Sequence, residues 1–249
     1  MMERWYVNMT EKIEQIARNV AAVRENMAKA AQEAGRDPGS ITLVAATKTQ
    51  TSETIRDAIQ AGITVCGENR VQELTAHLED NAYEGAEVHF IGHLQTNKVK
   101  YVVGKVDIIE SVDSERLMEA IDAQAGKLGI VQDVMLEVNI GREESKGGAD
   151  PDEVPSLARK AMTLPNVRLR GLMCIPPAEA EEPETRRFFA ETYQLFIDTR
   201  NKIVDNNSNI DCLSMGMSGD YPMAIQGGST MVRVGTALFG ARPPYRQNG

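Results

Sequence analysis

A lysine at the end of a predicted buried strand is the first residue of this chain that could do chemistry. Residues 41–50 read ITLVAATKTQ, an apolar and β-branched run that predicts a strand leading to Lys48. Because an ammonium is costly to desolvate, a partly buried lysine has a lowered pKa and can attack a carbonyl carbon to form a Schiff base. The alternative is an ordinary lysine whose ammonium reaches solvent from the strand end.

Two later segments predict a binding site for an anion. The segment 213–220, LSMGMSGD, places small and hydroxyl residues before a predicted helix, whose first backbone N–H groups would be free to bind an anion. The next segment, 234–236, adds Gly235, which allows close backbone approach, and the hydroxyl of Thr236. A serine-capped helix and a glycine turn, each common alone, are the alternative.

An arginine inside the last apolar run could complete such a site. Arg233 lies between apolar residues and is predicted to share a strand face with Met231 and Gly235. An inward arginine needs a carboxylate or a ligand atom as its partner. The alternative is an outward arginine that pairs with a carboxylate on a helix.

The three histidines do not define a catalytic group. His77 lies among polar neighbours on a predicted helix and is expected to be exposed, whereas His89 lies in a predicted strand and is expected to be structural. His93 follows that strand and is expected to line the mouth of the fold, but one histidine does not define a general base. The chain contains no HExxH or Walker pattern.

Helices and strands alternate along the chain. One amphipathic helix is predicted over residues 10–34, with Thr10 as its N-cap and Gly35 just beyond its end. Eight strands follow, centred near residues 43, 65, 89, 108, 135, 170, 212 and 233, with helical segments between them. This alternation favours a parallel sheet, and eight such units favour a (β/α)₈ TIM barrel. A doubly wound open sheet uses the same local units and is the alternative.

A barrel would bring the candidate residues together. No linker divides the chain, so we predict one α/β domain over residues 1–249, with the barrel over 41–242. On the alternation of a strand, Lys48 shares a face with Val44 and Ala46 and would stand at the C-terminal mouth. Active sites of TIM barrels form at that mouth, and their phosphate sites commonly follow strands 7 and 8.

Composition excludes several classes of protein. The net charge of −9 disfavours non-specific binding to nucleic acid or to an anionic membrane. No apolar run approaches the ~20 residues needed to span a bilayer, and the N-terminus lacks the apolar core of a signal peptide. Cys66, Cys174 and Cys212 show no CxxC spacing, which predicts packed thiols rather than a disulfide framework or a metal site. We therefore expect a cytoplasmic protein.

The combination of a strand-end lysine and a phosphate site predicts pyridoxal 5′-phosphate (PLP) as the ligand. Its aldehyde would join Lys48, its phosphate would lie after strands 7 and 8, and Arg233 would face the pyridine nitrogen. A carboxylate facing that nitrogen would keep it protonated and make the ring a strong electron sink. Since a guanidinium cannot accept that proton, carbanion chemistry would be weaker.

The motifs together resemble the YggS/PROSC family of pyridoxal phosphate homeostasis proteins. The matching segments are LVAATK (43–48), GENRVQEL (67–74), HFIGHLQTNK (89–98), SVDS (111–114), EVNIGREESKGG (137–148), RGLMCIP (170–176), LSMGMSGD (213–220) and STMVRVGTALFGAR (229–242). They run in order and cover nearly all of the chain after residue 40. Departures from the family pattern are Thr47, Arg70 and the pair Thr49-Gln50, which concern the pocket rim and leave the predicted lysine and phosphate sites intact.

The resemblance implies a set of cofactor-binding residues. It implies the barrel of alanine racemase without that enzyme's second domain, and a covalent aldimine between PLP and Lys48. The other residues that it implies as cofactor-binding are Asn69, His93, Ser214, Met215, Gly216, Ser218, Arg233, Gly235 and Thr236. Within the set, Ser214, Ser218, Gly235 and Thr236 would hold the phosphate, with Met215 and Gly216 contributing loop backbone.

The resemblance also implies a non-catalytic role in the intracellular homeostasis of PLP, that is, its storage, delivery or buffering. We expect PLP-dependent apo-enzymes as recipients, a monomer rather than a dimer, and no bound metal. One alternative is a single-domain PLP-dependent amino-acid racemase of the alanine racemase type, which would lack the catalytic tyrosine of the second domain. Another is a Schiff-base aldolase for a phosphorylated sugar, which would need its lysine on a later strand and a nearby acid/base pair.

Overall fold

The computed structural model describes residues 2–143, 146–203 and 209–240. Its centre is a closed barrel of eight parallel strands in which each strand pairs with the next and the eighth pairs with the first. The strands are β1 Thr42–Ala46, β2 Val65–Glu68, β3 Glu87–Phe90, β4 Ile108–Val112, β5 Gln132–Val138, β6 Val167–Cys174, β7 Cys212–Ser214 and β8 Met231–Val234. The prediction of a (β/α)₈ barrel is confirmed, and closure rules out the doubly wound alternative. Residue 1 and residues 241–249, at the ends of the predicted domain, lie outside the described residues.

Helices connect the strands and cover the outside of the barrel. The α-helices are α1 Met2–Glu33, α2 Ser52–Gln60, α3 Val71–Glu79, α4 Glu115–Leu128, α5 Val154–Ala161, α6 Glu182–Asp198, α7 Tyr221–Gln226 and α8 Thr236–Phe239. Short 3₁₀ helices cover Pro38–Ser40 and Thr96–Tyr101, and α6 continues as a π-helical turn over Thr199–Ile203. The connection after β3 is thus a 3₁₀ helix rather than a full α-helix.

The N-terminal helix is confirmed, but its predicted start is wrong. Helix α1 begins at Met2 rather than after Thr10, because residues 2–9 contain neither glycine nor proline to stop it. Its end agrees with the prediction, since Gly35 has the left-handed φ of +67° that ends many helices. Helix α1 packs against α2, α7 and α8. Its buried side chains join the outer core of the barrel beside α8, which has only four residues.

Strand alternation divides the apolar side chains between two cores. Outward-facing residues pack against the helices, whereas a smaller cluster fills the barrel itself. That inner cluster consists of Val44, Val65, Ile108, Met135, Cys212 and Met231. Burying a side chain of this size contributes about 1.5–3 kcal/mol. These six side chains fill one level of the barrel and form its apolar floor. A cavity inside the barrel must lie above or below that level.

One glycine is required where two strands approach closely. Gly171 lies beside the register shift between β5 and β6, with a φ of +157°. A Cβ atom at this position would lie 1.7 Å from the backbone oxygen of Cys212. Any other residue here would force β6 away from β7 and open the barrel wall.

The three cysteines are free, buried thiols, as the sequence predicted. Burial raises the pKa of Cys66 to about 12 and that of Cys174 to about 11, so both are inert thiols. None of the described helices combines the length and the apolar character that a membrane span needs.

Candidate functional site

Lys48 stands at the C-terminal mouth of the barrel. Val44 belongs to the inner core, and Ala46 and Lys48 line a cavity directly above it. The strand alternation predicted from the sequence is therefore confirmed. Lys48 is half-buried, which is the setting in which a lysine amine becomes a useful nucleophile.

The residues on each side of Lys48 are hydrogen-bonded to glutamates of β2 and α3. The hydroxyl of Thr47 donates to Oε1 of buried Glu68 at 2.7 Å. Thr49 has a left-handed φ of 66°, a strained backbone for a β-branched residue, and its N–H donates to Oε2 of Glu73 at 3.0 Å. These contacts fix the turn that carries Lys48.

The expectation that His77 is exposed is wrong. His77 lies 8% exposed on the face of α3 that packs against β2. Its Nδ1 lies 3.1 Å from the hydroxyl of Tyr83 and 3.4 Å from Oε1 of Glu68. Burial raises the pKa of Glu68 although Thr47 donates to it. His77 thus belongs to the cluster that supports the turn of Lys48.

The cavity at this mouth has a volume of about 450 Å³ and contains most of the predicted site. The predicted residues that line it are Lys48, Asn69, His93, Ser218, Arg233, Gly235 and Thr236. Ile91, Ile175 and Met217 add apolar walls that the prediction did not include. A mostly apolar cleft with a few convergent polar groups is the usual form of a cofactor site.

Backbone N–H groups converge at one end of this cavity. The N–H groups of Gly235 and Ala237 both point to Oγ of Ser218, each at 3.2 Å. They lie at the start of α8, where backbone N–H groups have no partner within the helix. Thr236 adds a hydroxyl. The loops after β7 and β8 therefore bring backbone N–H groups and hydroxyls together at one end of the cavity, where two of the N–H groups donate to Ser218.

Three predicted residues do not line the cavity. Ser214 is the last residue of β7 and is fully buried inside the barrel, below the cavity. Met215 packs in the outer core, and Gly216, with a φ of +95°, accepts a hydrogen bond from the N–H of Arg233 at 2.9 Å. These residues shape the loop and the floor of the site rather than its walls.

Arg233 points inward and has a carboxylate partner inside the barrel. It is 4% exposed, and its Nη1 donates to Oγ of Ser214. Its Nη2 donates to the carbonyl oxygen of Cys174 at 2.8 Å. Oε2 of Glu110 lies 3.9 Å from Nη1. The outward alternative for this arginine is therefore wrong.

Glu110 joins Ser214 to a second buried residue. Its Oε2 accepts from the hydroxyl of Ser214 at 2.6 Å, and its Oε1 lies 2.7 Å from Nδ1 of His89. Complete burial opposes ionisation, but the hydrogen bond from His89 and the charge of Arg233 outweigh it and hold the pKa of Glu110 below its ordinary value. An ionised carboxylate only accepts, so Nδ1 of His89 carries the hydrogen. His89 is buried in β3, and its Nε2 has no hydrogen-bond partner among the described residues.

Two glutamates that the sequence analysis did not name lie at this mouth, Glu137 in the cavity wall and Glu110 beneath the cavity. Glu137 is half-buried, lines the cavity and has a raised pKa, chiefly because of burial. It can therefore hold a proton closer to neutral pH than an ordinary glutamate. Extending the strand alternation from Met135, which faces the inner core, would have found it.

Two further residues at the cavity have notable polar groups. Oδ1 of Asn69 is buried and has no hydrogen-bond partner among the described residues. Such an acceptor commonly marks a place where a ligand or a water binds. His93 is exposed at the rim, with its Nδ1 3.7 Å from Oδ2 of Asp113. Within the described residues, no group of acidic, histidine or cysteine side chains could hold a metal ion.

The sequence model of the alanine racemase N-terminal domain matches residues 18–243 of this chain, which places the closed eight-stranded barrel in that class. A pyridoxal phosphate homeostasis protein of Aquifex aeolicus is 43% identical over 223 residues, which are 90% of this chain and 96% of the relative. The chain belongs to the family of pyridoxal phosphate homeostasis proteins.

Solved structures agree with this assignment. The structure of PipY from Synechococcus elongatus PCC7942 with PLP bound is 34% identical, with a TM-score of 0.75, and the match covers 90% of this chain and all 100% of that one. An alanine racemase of Clostridium difficile 630 matches with a TM-score of 0.68 at 15% identity, over 92% of this chain and 57% of the racemase. At that identity the racemase shares the barrel fold alone.

Proposed function

We propose that this protein binds pyridoxal 5′-phosphate at the C-terminal mouth of its barrel and takes part in the intracellular homeostasis of that cofactor. One observation carries the proposal: the same cavity contains an amine at Lys48, a guanidinium at Arg233 and converging N–H donors beside Ser218. These are the groups that an aldehyde, a pyridine ring and a phosphate require. The relatives that match nearly their whole length have the same role in their name.

Each part of the cofactor has a suitable group in the cavity. Lys48 would hold the aldehyde carbon through a covalent bond to Nζ, and Ser218 with the N–H groups of Gly235 and Ala237 would hold the phosphate. Arg233 would face the ring nitrogen, and the buried Oδ1 of Asn69 would accept a hydrogen bond that it lacks among the described residues. Bound PLP supplies an aldehyde that reacts with amines, and this chemistry suits reversible storage and delivery.

The polar groups of the cavity support a role without catalysis. A guanidinium has N–H donors and no acceptor, so Arg233 cannot accept a proton from the ring nitrogen. Without that proton the ring would be a weak electron sink. We also propose that PLP-dependent apo-enzymes receive the cofactor and that the protein acts as a monomer.

The covalent link is tested by reducing the protein with borohydride after incubation with PLP and then measuring its intact mass. We expect wild type to retain one PLP-derived mass, Lys48→Ala to lose it, and Lys105→Ala to retain it. Lys105 is a matched control because it is exposed at the opposite mouth of the barrel. An adduct that persists in Lys48→Ala would refute the assignment of the lysine.

The second candidate is a racemase, because alanine racemase shares the fold. Incubation of the PLP-loaded protein with L-alanine, followed by measurement of D-alanine, separates the two candidates. We expect no turnover above the rate with free PLP. Turnover near ~1 per second or faster, within the usual range of enzymes, would favour the racemase.

A further inference from the structure

A line of buried polar side chains crosses the barrel beneath the cavity. It runs from His89 on β3 through Glu110 on β4 and Ser214 on β7 to Arg233 on β8. Each of these side chains is at most 4% exposed. Burying a carboxylate and a guanidinium costs several kcal/mol per ion, and apolar residues of similar volume often stabilise a core as well or better. The floor immediately below shows that this barrel can be filled with apolar residues, so stability alone does not explain the polar line.

Ser214 keeps the two charges apart. Its hydroxyl accepts from Nη1 of Arg233 and donates to Oε2 of Glu110, while the carboxylate and the guanidinium remain 3.9 Å apart. A guanidinium has five N–H donors, and Ser214 and the carbonyl of Cys174 use two of them. Because Arg233 also lines the cavity, the arrangement fixes its orientation and leaves donor capacity for a ligand.

We propose that Glu110 is a positioning residue for the cofactor site. With His89 on one side and Ser214 on the other, Glu110 orients the Arg233 guanidinium through the bridging hydroxyl of Ser214, so that Arg233 donates to the ring nitrogen of PLP. This inference rests on the proposed function. It means that Glu110, Ser214 and His89, which do not line the cavity, influence the protonation of the bound ring.

Because each hydrogen bond in this line of side chains has a fixed donor and acceptor, one substitution can disrupt the line. Glu110 accepts on both of its oxygens, one from His89 and one from Ser214. Glu110→Gln would place an NH₂ group against one of these donors and would also remove the charge that faces Arg233. Other charged or titratable groups around Glu110 are Glu137 on β5 and Cys212 on β7. Neither Glu137 nor Cys212 can replace the contact between Glu110 and Ser214.

The test is the pH dependence of the absorption spectrum of PLP bound to the full chain, for wild type and four variants. We expect Glu110→Gln and Ser214→Ala to shift the midpoint of the spectral titration by about one pH unit or more. A one-unit shift corresponds to 1.36 kcal/mol between protonation states. Ser214→Thr retains the hydroxyl and should restore the wild-type midpoint.

The fourth variant, Asp133→Asn, controls for general damage to the barrel. Asp133 also pairs with arginines inside a barrel mouth, but at the opposite end. Asp133→Asn should lower stability and leave the midpoint unchanged, and a shift equal to that of Glu110→Gln would overturn the proposal.

Failure of the two proposals can be told apart. Wild type that binds no PLP would overturn the proposed function and this inference together. Wild type that binds PLP while Ser214→Ala and Glu110→Gln keep its midpoint would overturn this inference alone. If Glu110→Gln does not fold, Ser214→Ala decides, because it removes a single hydroxyl.

Discussion

The two mouths of the barrel both combine arginines and carboxylates around a cavity, but they pair them differently. At the N-terminal mouth, Arg168 and Arg170 contact Asp133 at 2.8 and 2.7 Å, and Arg170 also contacts Asp211 at 2.9 Å. At the C-terminal mouth, a serine separates Arg233 from its carboxylate. The first arrangement neutralises its cations directly, whereas the second keeps a cation oriented toward the cavity.

Under the proposed function, the smaller of the two cavities is the functional site. The cavity at the N-terminal mouth has about 550 Å³ and the one at the C-terminal mouth about 450 Å³. In the larger cavity the guanidinium groups are already paired, and the hydrogen bond to Asp133 raises the pKa of Arg168. Under the proposed function, the orientation of Arg233 toward the cavity, rather than the cavity volume, distinguishes the mouth that binds PLP.

The largest difference in stability and PLP affinity should come from removing one arginine at each mouth in turn. Arg233→Met leaves Glu110 buried without its cation, which we expect to cost about 3–5 kcal/mol of unfolding free energy. It should also weaken PLP binding by about 10- to 100-fold, as expected for a lost charged hydrogen bond of about 1.5–3 kcal/mol. Urea unfolding and a PLP titration measure the two effects.

Arg170→Met is the matched change at the other mouth. Arg168 still pairs with Asp133 there, so we expect a loss of about 1 kcal/mol and an unchanged PLP affinity. If both variants lost the same affinity, the contrast between the mouths would be wrong.

The charge state of Glu110 should appear in the pH dependence of stability. Its pKa is lower in the folded protein than its ordinary value, so its contribution is present above the ordinary glutamate pKa and disappears as pH falls through the folded pKa. The difference in unfolding free energy between wild type and Glu110→Gln should therefore shrink on acidification. The change is about 1.4 kcal/mol for each unit by which the folded and unfolded pKa values differ.

Glu68→Gln should show the opposite sign. Burial raises the pKa of Glu68, so its contribution is complete below the ordinary glutamate pKa and is lost as pH rises through the folded pKa. Denaturant unfolding between acid and neutral pH measures both differences. Parallel slopes for the two variants would show that burial alone, rather than His89 and Arg233, sets the charge of Glu110.

The smallest expected effect concerns the phosphate end of the site. Ser218→Ala removes one hydroxyl worth about 1 kcal/mol and should weaken PLP binding by about fivefold. Binding of pyridoxal, which has no phosphate, should not change. Ser156→Ala, an exposed hydroxyl on α5, is the control in a parallel titration. Equal losses for PLP and pyridoxal would remove Ser218 from the phosphate site.

Local patterns in the sequence were sufficient to predict where the strands lie and which way Lys48 and Arg233 face. The period-two pattern of β1 correctly places Lys48 in line with Val44 and Ala46, and that of β8 correctly turns Arg233 inward. The start of α1 was missed because a threonine resembles an N-cap whether or not the helix begins there. His77 was missed because its polar neighbours in sequence are not its neighbours in space.

The sequence by itself determined which side chains point into the barrel, since that depends only on alternation along each strand. Only the tertiary structure decided how far along the barrel axis these side chains lie and which residues they contact. Ser214 faces inward as alternation requires, yet it lies beneath the cavity, between Glu110 and Arg233, rather than at the phosphate end. The physical reason is that closure of eight tilted strands fixes their stagger as a set, so no single segment encodes it.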